Sequence, residues 1–206
     1  MLDFDGVVLE SVDVKTRAFE ALFLDEGREA ADRVVAYHEA NGGISRYEKF
    51  RWAYREVLRR PLSDAQEKAL GDRFNALVEE AVSSAEWVPG AREFIASWSA
   101  ILPLYVASGT PQEELRRVVE RRGLTPSFRG VYGSPRGKAE ILRMIAADLA
   151  CPADRLVMVG DSVNDLEGAR TAGARFVGRR RGADPFPPNT PLVEDLRALD
   201  EALRHL

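Results

Sequence analysis

The chain has 206 residues, 45% of them hydrophobic and 30% charged, with a formal net charge of −4. These values exclude global disorder, predict one domain with room for a modest insertion, and give no reason to expect a nucleic-acid partner. One cysteine, Cys151, excludes an internal disulfide framework and fits a reducing compartment. No apolar stretch approaches the roughly 18 residues of a membrane span. We therefore expect a soluble cytoplasmic protein with no membrane partner.

The N-terminus, MLDFDGVV, is an apolar run interrupted by two aspartates. Acidic side chains seldom occupy such a strand for packing reasons, so Asp3 and Asp5 are candidate functional residues. The alternative is that they are turn residues before Gly6. Only Met1 and Leu2 precede Asp3, whereas strands usually run about five residues. We therefore expect a shortened first strand, either because its start is misassigned or because residues were lost.

Residues 12–86 have helical apolar spacing and no strand pattern. The runs SRYE (45–48) and SDAQ (63–66) are typical of capping boxes that open helices. The turn sequence VPG (88–90) then marks a return to a different pattern. The helical repeats are Val14, Ala18, Leu22 and Phe23, and Phe50, Tyr54, Val57 and Leu58. This pattern predicts an all-helical cap domain, 12–86, inserted into a core domain of residues 1–11 and 87–206.

The core sequence alternates short apolar runs with helical patterns. Such alternation predicts βαβ units, and hence an α/β fold with a Rossmann-like parallel sheet. In these sheets ligands bind outside the carboxyl ends of the strands. The predicted strands are 104–107, 130–133, 156–160 and 175–178, and the predicted helices are 113–122, 139–149 and 165–172.

Polar residues follow several of these strands. DFDG ends the first strand, ASGT (107–110) ends the next and leads into TPQEE, and GDSVND (160–165) ends the strand at 156–160. Thr110 is a predicted helix N-cap with Pro111 after it, which places Ser108 and the Gly109 amide beside a helix N-terminus that favours an anion. Lys138 begins another predicted helix. Because the carboxyl ends of parallel strands share one edge, we expect these groups to converge.

Each group alone has an ordinary structural interpretation: Ser108 as a cap, Asp161 and Asp165 as the cap and first-turn acid of a helix, Lys138 as a surface residue. Lysine is unusual here, however, because the chain has four lysines against 25 arginines. Several carboxylates at one edge would repel one another unless a cation lay among them. Mg²⁺ is the natural ion, and a hydroxyl, an amide and an ammonium beside it form a phosphate site.

These motifs resemble the haloacid dehalogenase superfamily, most closely its phosphatases with a helical cap after the first strand. The similarity covers nearly the whole chain, in the right order: DFDGV, ASGT, a single lysine and GDSVND. The resemblance implies that Asp3 is the nucleophile that forms an aspartyl-phosphate and that Asp5 is the general acid and base. It implies that Ser108, Gly109 and Lys138 hold the phosphoryl group.

The resemblance also implies a metal site. Asp3, Asp161 and the backbone carbonyl of Asp5 would bind Mg²⁺, and Asp165 would act from behind them through water or Lys138. The presence of Asp5 decides between two chemistries of the superfamily, because halide leaves without a proton and the dehalogenases lack the second aspartate. We therefore expect phosphoryl transfer and not dehalogenation.

The cap run NGGISRYEKF (41–50) places Arg46 just after a Gly-Gly hinge and resembles the substrate-specificity loop of the beta-phosphoglucomutase branch. Arg46 is a candidate substrate contact; alternatively it is solvated. The mutase has a histidine shortly after the first motif, whereas Lys15 or a neighbour stands here. His38 and His205 lack metal-ligand spacing and are expected at the surface.

The sequence therefore predicts a Mg²⁺-dependent phosphomonoester hydrolase acting on a small soluble phosphorylated metabolite. Two alternatives stay open: a phosphosugar mutase of the same fold, and a catalytically idle binding protein.

Overall fold

The computed structural model describes residues 1–182 and 185–206. Within these ranges, residues 12–84 are largely helical, and residues 91–206 combine strands and helices. The first part contains α1 (Val12–Phe23), α2 (Arg28–Ala40), α3 (Arg46–Trp52, continued by a π-helical turn at Ala53–Val57) and α4 (Asp64–Ser84). The second contains α5 (Ala91–Trp98), β1 (Tyr105–Pro111), α6 (Gln112–Arg121), β2 (Gly130–Ser134), α7 (Lys138–Asp148), β3 (Val157–Gly160), α8 (Val163–Ala172), β4 (Arg175–Arg179), β5 (Leu192–Val193) and α9 (Leu199–Arg204).

The strands form a parallel sheet whose two halves meet at the N-terminus. β1 pairs with β2, and β3, β4 and β5 pair in that order. Leu2 lies between the halves and forms parallel bridges with both Val106 and Val159. Its N–H donates to Tyr105 O at 2.8 Å, and the Asp3 N–H donates to Val159 O at 2.9 Å. The predicted α/β fold with a parallel sheet is confirmed. The N-terminal segment is short, as expected, and joins the sheet through the bridges of Leu2.

The helical segment packs around aromatic side chains. Phe19 of α1 lies between Phe50 and Phe74, with ring centroids 5.8 and 4.8 Å away. All three rings are buried in the same hydrophobic cluster as Leu2 and Val106 of the sheet. The helices therefore cover the sheet and are held to it by a continuous apolar core.

One of the two predicted capping boxes is present. Ser63 and Gln66 exchange hydrogen bonds at the start of α4. At α3 the Ser45 hydroxyl accepts from the Tyr47 N–H at 3.3 Å, and the described contacts include no return bond from Glu48. The capping box predicted at 45–48 is therefore wrong, although Ser45 is still the N-cap.

Two antiparallel connections join the helical segment to the sheet. The Glu10 N–H donates to Glu86 O at 2.9 Å, and the Val88 N–H donates to Val8 O at 3.1 Å. The entering and leaving chains therefore brace each other directly beside the DFDG turn. The exact domain division, 1–11 with 87–206 and 12–86, stays a prediction. None of the described helices is long and apolar enough to cross a membrane.

Candidate active site

Lys138 connects the ends of three chain segments at the carboxyl edge of the sheet. It is the first residue of α7, and its ammonium is buried. Nζ donates to Asp3 Oδ1 at 2.6 Å and to Ala107 O at 2.7 Å, and it lies 2.8 Å from Asp165 Oδ1. A compact ammonium with three protons can serve these three oxygens, whereas a planar guanidinium could not. This explains a lysine in an arginine-rich chain.

Three carboxylates converge beside this ammonium. One oxygen from each of Asp3, Asp161 and Asp165 lies within 4.8 Å of the others. Burial and the neighbouring acids raise the pKa of Asp3 well above its ordinary value, which Lys138 only partly offsets. Burial and then repulsion from Asp165 raise the pKa of Asp161 to about 7. Gly6, at φ +79°, allows the Asp161 carboxylate to lie close to the backbone that follows Asp5, because a Cβ on residue 6 would collide with that carboxylate.

Asp165 also belongs to the helix that follows β3. Its Oδ2 accepts from the Ser162 hydroxyl at 2.7 Å and the Ser162 N–H at 3.2 Å, which completes a capping box on α8. The side chain is fully buried, and its other oxygen faces Lys138. Asp165 is therefore the first-turn acid of α8, whose N-cap is Ser162 and not Asp161, and it also contacts Lys138. Its functional role stays a prediction.

Asp5 is surrounded by donors. Its carboxylate accepts from Ser11 Oγ at 2.6 Å and from Ser108 Oγ at 2.9 Å, and it forms an ion pair with Lys15 Nζ at 2.6 Å. Burial alone would raise the pKa of Asp5, but the Lys15 ammonium and the hydroxyl hydrogen bonds outweigh it and hold the pKa well below its ordinary value. Asp5 is therefore an ionised carboxylate in this conformation.

Thr110 does not cap a helix as predicted. β1 continues through Pro111 and α6 begins at Gln112, without a side-chain cap from the residues that the structure describes. Thr110 Oγ1 instead donates to Asp5 Oδ2 at 3.2 Å and lies 2.8 Å from Lys15 Nζ. The Thr110 hydroxyl contacts the charged pair because hydrogen bonds to ionised groups are stronger than hydrogen bonds between neutral groups, such as a hydroxyl and a helix N–H.

The loop after α2 covers the site. The carbonyl of Gly42 accepts from Asn164 Nδ2 at 2.6 Å. A Cβ on Gly109 would lie 2.7 Å from Gly43 O and 2.8 Å from Ile44 O, so only glycine permits this approach. A cavity of about 180 Å³ remains between the loop and the sheet edge. Its walls include Asp3, Asp5, Lys15, His38, Arg46, Lys49, Gly109, Asp161 and Arg181.

Arg46 lines this cavity, but other residues hold its guanidinium. It donates to Glu114 Oε1 of α6 at 2.7 Å and to Asn75 Oδ1 of α4, and its Cζ lies 4.3 Å from the centre of the Phe74 ring. The side chains of Arg46 and Glu114 are both buried. Arg46 therefore joins a cap helix to a helix of the sheet layer. Its predicted contact with substrate stays a prediction.

We expect the Arg46→Ala variant to lose about 3–5 kcal/mol of unfolding free energy, because the Glu114 carboxylate would remain buried without a partner. Urea denaturation measures this loss. Arg51→Ala on the same helix is the matched control: Arg51 is exposed and paired with Glu67, so a change within about 0.5 kcal/mol is expected. Equal losses in both variants would contradict a special role for the buried pair.

Several residues that surround Asp5 were not predicted to belong to the site. Lys15, Ser11 and Thr110 surround Asp5, and only the lysine's scarcity could have indicated one of them. The prediction that His38 lies at the surface is wrong. The side chain is buried, and the centre of its ring lies 4.6 Å from the centre of the Phe19 ring. His205 is exposed, as expected.

Comparison with known proteins identifies the family and relatives of this chain. A model of the haloacid dehalogenase-like hydrolase family matches residues 1–173. The chain is 24% identical to phosphoglycolate phosphatase of Pseudomonas fluorescens, a match that covers 97% of this chain and 77% of that protein. It is 39% identical over 67 residues to enolase-phosphatase E1 of Streptomyces avermitilis, a match that spans 31% of this chain and 28% of that protein.

The structure superposes on the crystal structure of beta-phosphoglucomutase from Clostridium difficile with a TM-score of 0.76 and 15% identity, covering 99% of this chain and 96% of the other. At that identity the likeness shows the fold alone. The family model, by contrast, spans most of the sequence and all the residues around Lys138. The chain therefore belongs to the haloacid dehalogenase-like hydrolase family and is a phosphatase of that family.

Proposed function

We propose that this phosphatase is a Mg²⁺-dependent phosphomonoesterase that acts on a small phosphorylated metabolite through an aspartyl-phosphate on Asp3. The observation that carries the proposal is the buried convergence of Asp3, Asp161 and Asp165 around the Lys138 ammonium, beside Ser108 and Asp5. A dense cluster of carboxylates with a fixed cation suits phosphoryl transfer, because catalysis of this reaction depends mainly on positioning and on stabilisation of charge.

The donor set fits Mg²⁺. Three carboxylate oxygens within 4.8 Å offer hard oxygen ligands, and their crowding leaves negative charge that Lys138 does not fully balance. Asp3, Asp161 and the Asp5 carbonyl would hold the ion, while Asp165 stays with Lys138 and Ser162. When bound, Mg²⁺ would neutralise charge on the transferred phosphoryl group.

The protein side chains would perform two balanced steps. In the first, a carboxylate oxygen of Asp3 attacks phosphorus, the ester P–O bond breaks, and the leaving oxygen takes a proton from Asp5. In the second, water gives a proton to Asp5 and attacks phosphorus, which releases phosphate and restores the Asp3 carboxylate. Ser108, the Gly109 amide and Lys138 would hold the phosphoryl oxygens throughout. The ionised Asp5 of the structure is in the state that accepts the proton from water, and the first step requires the protonated form that this transfer produces.

The covering loop supports a role for the helical segment in excluding water and positioning the substrate. Arg46 is proposed as a contact through its remaining donors, because a guanidinium has five N–H groups and Glu114 and Asn75 occupy only part of them. The cavity of about 180 Å³ favours a small substrate, since pockets for drug-sized ligands span about 300–1,000 Å³. The lone Cys151 supports a cytoplasmic location.

Removal of divalent metal should abolish turnover. Hydrolysis of p-nitrophenyl phosphate is expected to fall to background after treatment with EDTA and to return when Mg²⁺ is added in excess, because the repelling carboxylates would lose their counter-ion. A thermal melt with and without Mg²⁺ gives an independent reading of binding. Full turnover in metal-free protein would refute the metal dependence.

The fate of the phosphoryl group distinguishes the proposed hydrolase from a phosphosugar mutase. A hydrolase releases inorganic phosphate from a monophosphate without a primer, whereas a mutase of this fold requires a sugar bisphosphate. A screen of phosphorylated metabolites for phosphate release therefore tests the proposal and selects the substrate. Absence of release from every monophosphate, combined with primer-dependent isomerisation, would favour the mutase.

A further inference from the structure

Lys49 differs from the other buried basic side chains that the structure describes. Those others each have a carboxylate partner: Arg46 with Glu114, Lys138 with Asp3 and Asp165, and Arg179 with Glu10. Lys49 is only 3% exposed, and its polar contacts in residues 1–182 and 185–206 are with His38. It is therefore a buried cation without a described counter-charge.

The contact with His38 leaves donors unused. Lys49 Nζ lies 2.8 Å from His38 Nδ1 and 3.4 Å from the His38 carbonyl oxygen. When Lys49 is an ammonium it has only donors, so Nδ1 accepts and the ring proton resides on Nε2. His38 Nε2 is buried and has no hydrogen-bond partner in the described part of the chain. The pair thus leaves the third N–H of the ammonium and the Nε2–H without an acceptor among the described residues.

Both side chains line the cavity that contains Asp3, Asp5 and Asp161. Lys49 comes from α3 and His38 from α2, so they belong to the cap side, whereas Asp3 and Asp161 belong to the sheet edge. Phe19 and Phe74 add apolar surface to the same wall. The cavity therefore has the acidic residues Asp3, Asp5 and Asp161 on one side and the Lys49–His38 pair on the other.

This arrangement is unfavourable for folding alone. Burial, and after it the nearby Lys15 ammonium, lower the pKa of Lys49 to about 7. A buried charge without a partner is costly, and an apolar side chain of similar volume would pack there at lower cost. The structural interpretation, a Lys–His hydrogen bond that only fills the core, leaves this cost and the unpaired Nε2–H without a reason. A bound anion supplies one.

We propose that Lys49 and His38 bind the carboxylate of a short phosphorylated acid whose phosphate lies at Asp3. The proposal rests on the phosphomonoesterase function and names its substrate class. The cavity of about 180 Å³ lies between Asp3 and this pair, and its small size favours a short linker between the phosphoryl group and the carboxylate. A second phosphate is bulkier than a carboxylate and fits this space less well.

The wild-type enzyme tests the proposal without any substitution. Phosphoglycolate and 2-hydroxyethyl phosphate have the same chain length and differ in a terminal carboxylate or hydroxyl. We expect kcat/KM to be about 10- to 100-fold higher for the acid, the usual value of a hydrogen bond to a charged group. The bisphosphate of the same diol is a third substrate, expected to be poorer than the acid. A ratio of acid to alcohol near one overturns the proposal, as does a clear preference for the bisphosphate.

The Lys49→Met variant then assigns the preference to this side chain. Methionine is of similar length and carries no charge, so the ratio of kcat/KM for the acid to kcat/KM for the alcohol should fall to about one. The Tm measured without substrate should not fall. Lys68→Met is the matched control: Lys68 is exposed on α4 and paired with Asp72, and its ratio should equal that of the wild type. An unchanged ratio in Lys49→Met, or equal losses on both substrates with a lower Tm, would mean that Lys49 does not read the carboxylate.

Failure of the proposed function looks different. In that case the wild-type enzyme with Mg²⁺ would hydrolyse none of these esters, p-nitrophenyl phosphate included. Turnover of p-nitrophenyl phosphate without any preference for acids would leave the phosphomonoesterase function intact and overturn only the carboxylate site.

Discussion

The Asp3→Asn variant is expected to lose turnover by about 10⁵- to 10⁶-fold, to the background of the assay, because an amide cannot attack phosphorus. The loss should be the same for p-nitrophenyl phosphate and for any alkyl phosphate, since the step that fails precedes every difference between leaving groups. Acid-quenched reactions with ³²P-labelled substrate should show a phosphoprotein in the wild type and none in the variant.

Two controls make this result specific. Asp154→Asn removes an exposed carboxylate from the loop before β3 and should retain full turnover. Asp3→Ala should be as inactive as Asp3→Asn, because neither side chain offers a carboxylate that can attack phosphorus. A phosphoprotein in either Asp3 variant would show that another residue carries the phosphoryl group.

The Asp5→Asn variant is expected to lose about 10²- to 10⁴-fold in turnover, the usual contribution of general acid and base catalysis. Nitrophenolate leaves without a proton, so the first step should survive with p-nitrophenyl phosphate while the hydrolysis of the phosphoenzyme becomes slow. Rapid mixing should therefore show a burst of nitrophenol close to one equivalent of enzyme. With an alkyl phosphate both steps need the proton, and no burst is expected.

The surroundings of Asp5 provide the matched comparison. Lys15→Met removes the ammonium that holds Asp5 ionised but leaves the carboxylate in place, so phosphoenzyme should not accumulate as it does in Asp5→Asn. Near-normal turnover in Asp5→Asn would assign the acid and base role elsewhere. Lost metal affinity in that variant would show that the side chain, and not only the backbone, supports the ion.

The elements of the core could be predicted from the sequence because their signals are local. The apolar run at 156–160 and the helical pattern at 165–172 each extend over a few residues, and the structure has β3 at Val157–Gly160 and α8 at Val163–Ala172. Strand ends in a parallel sheet share an edge whatever the details of packing, so Asp3 and Asp161 could be expected near each other. Their carboxylates lie in one cluster.

Two of the local predictions that proved wrong, those for Thr110 and His38, share one cause. Thr110 has the sequence context of an N-cap, and His38 has that of an exposed helical residue. The partners that decide their positions, Asp5 for Thr110 and Phe19 for His38, lie 105 and 19 residues away along the chain. Such contacts depend on how the helices pack on the sheet, which a pattern of a few residues does not encode.

The sequence by itself determined the α/β class, the helical insertion and the family, because periodicity, chain order and motifs at strand ends suffice for these. Only the tertiary structure decided what surrounds the motifs: that Arg46 pairs with Glu114, that Lys15 pairs with Asp5, and that Lys49 lines the cavity with His38 as its polar partner among the described residues. The physical reason is that a charged side chain takes its role from the groups buried with it. Those groups come from separate elements that meet only when the helices close over the sheet.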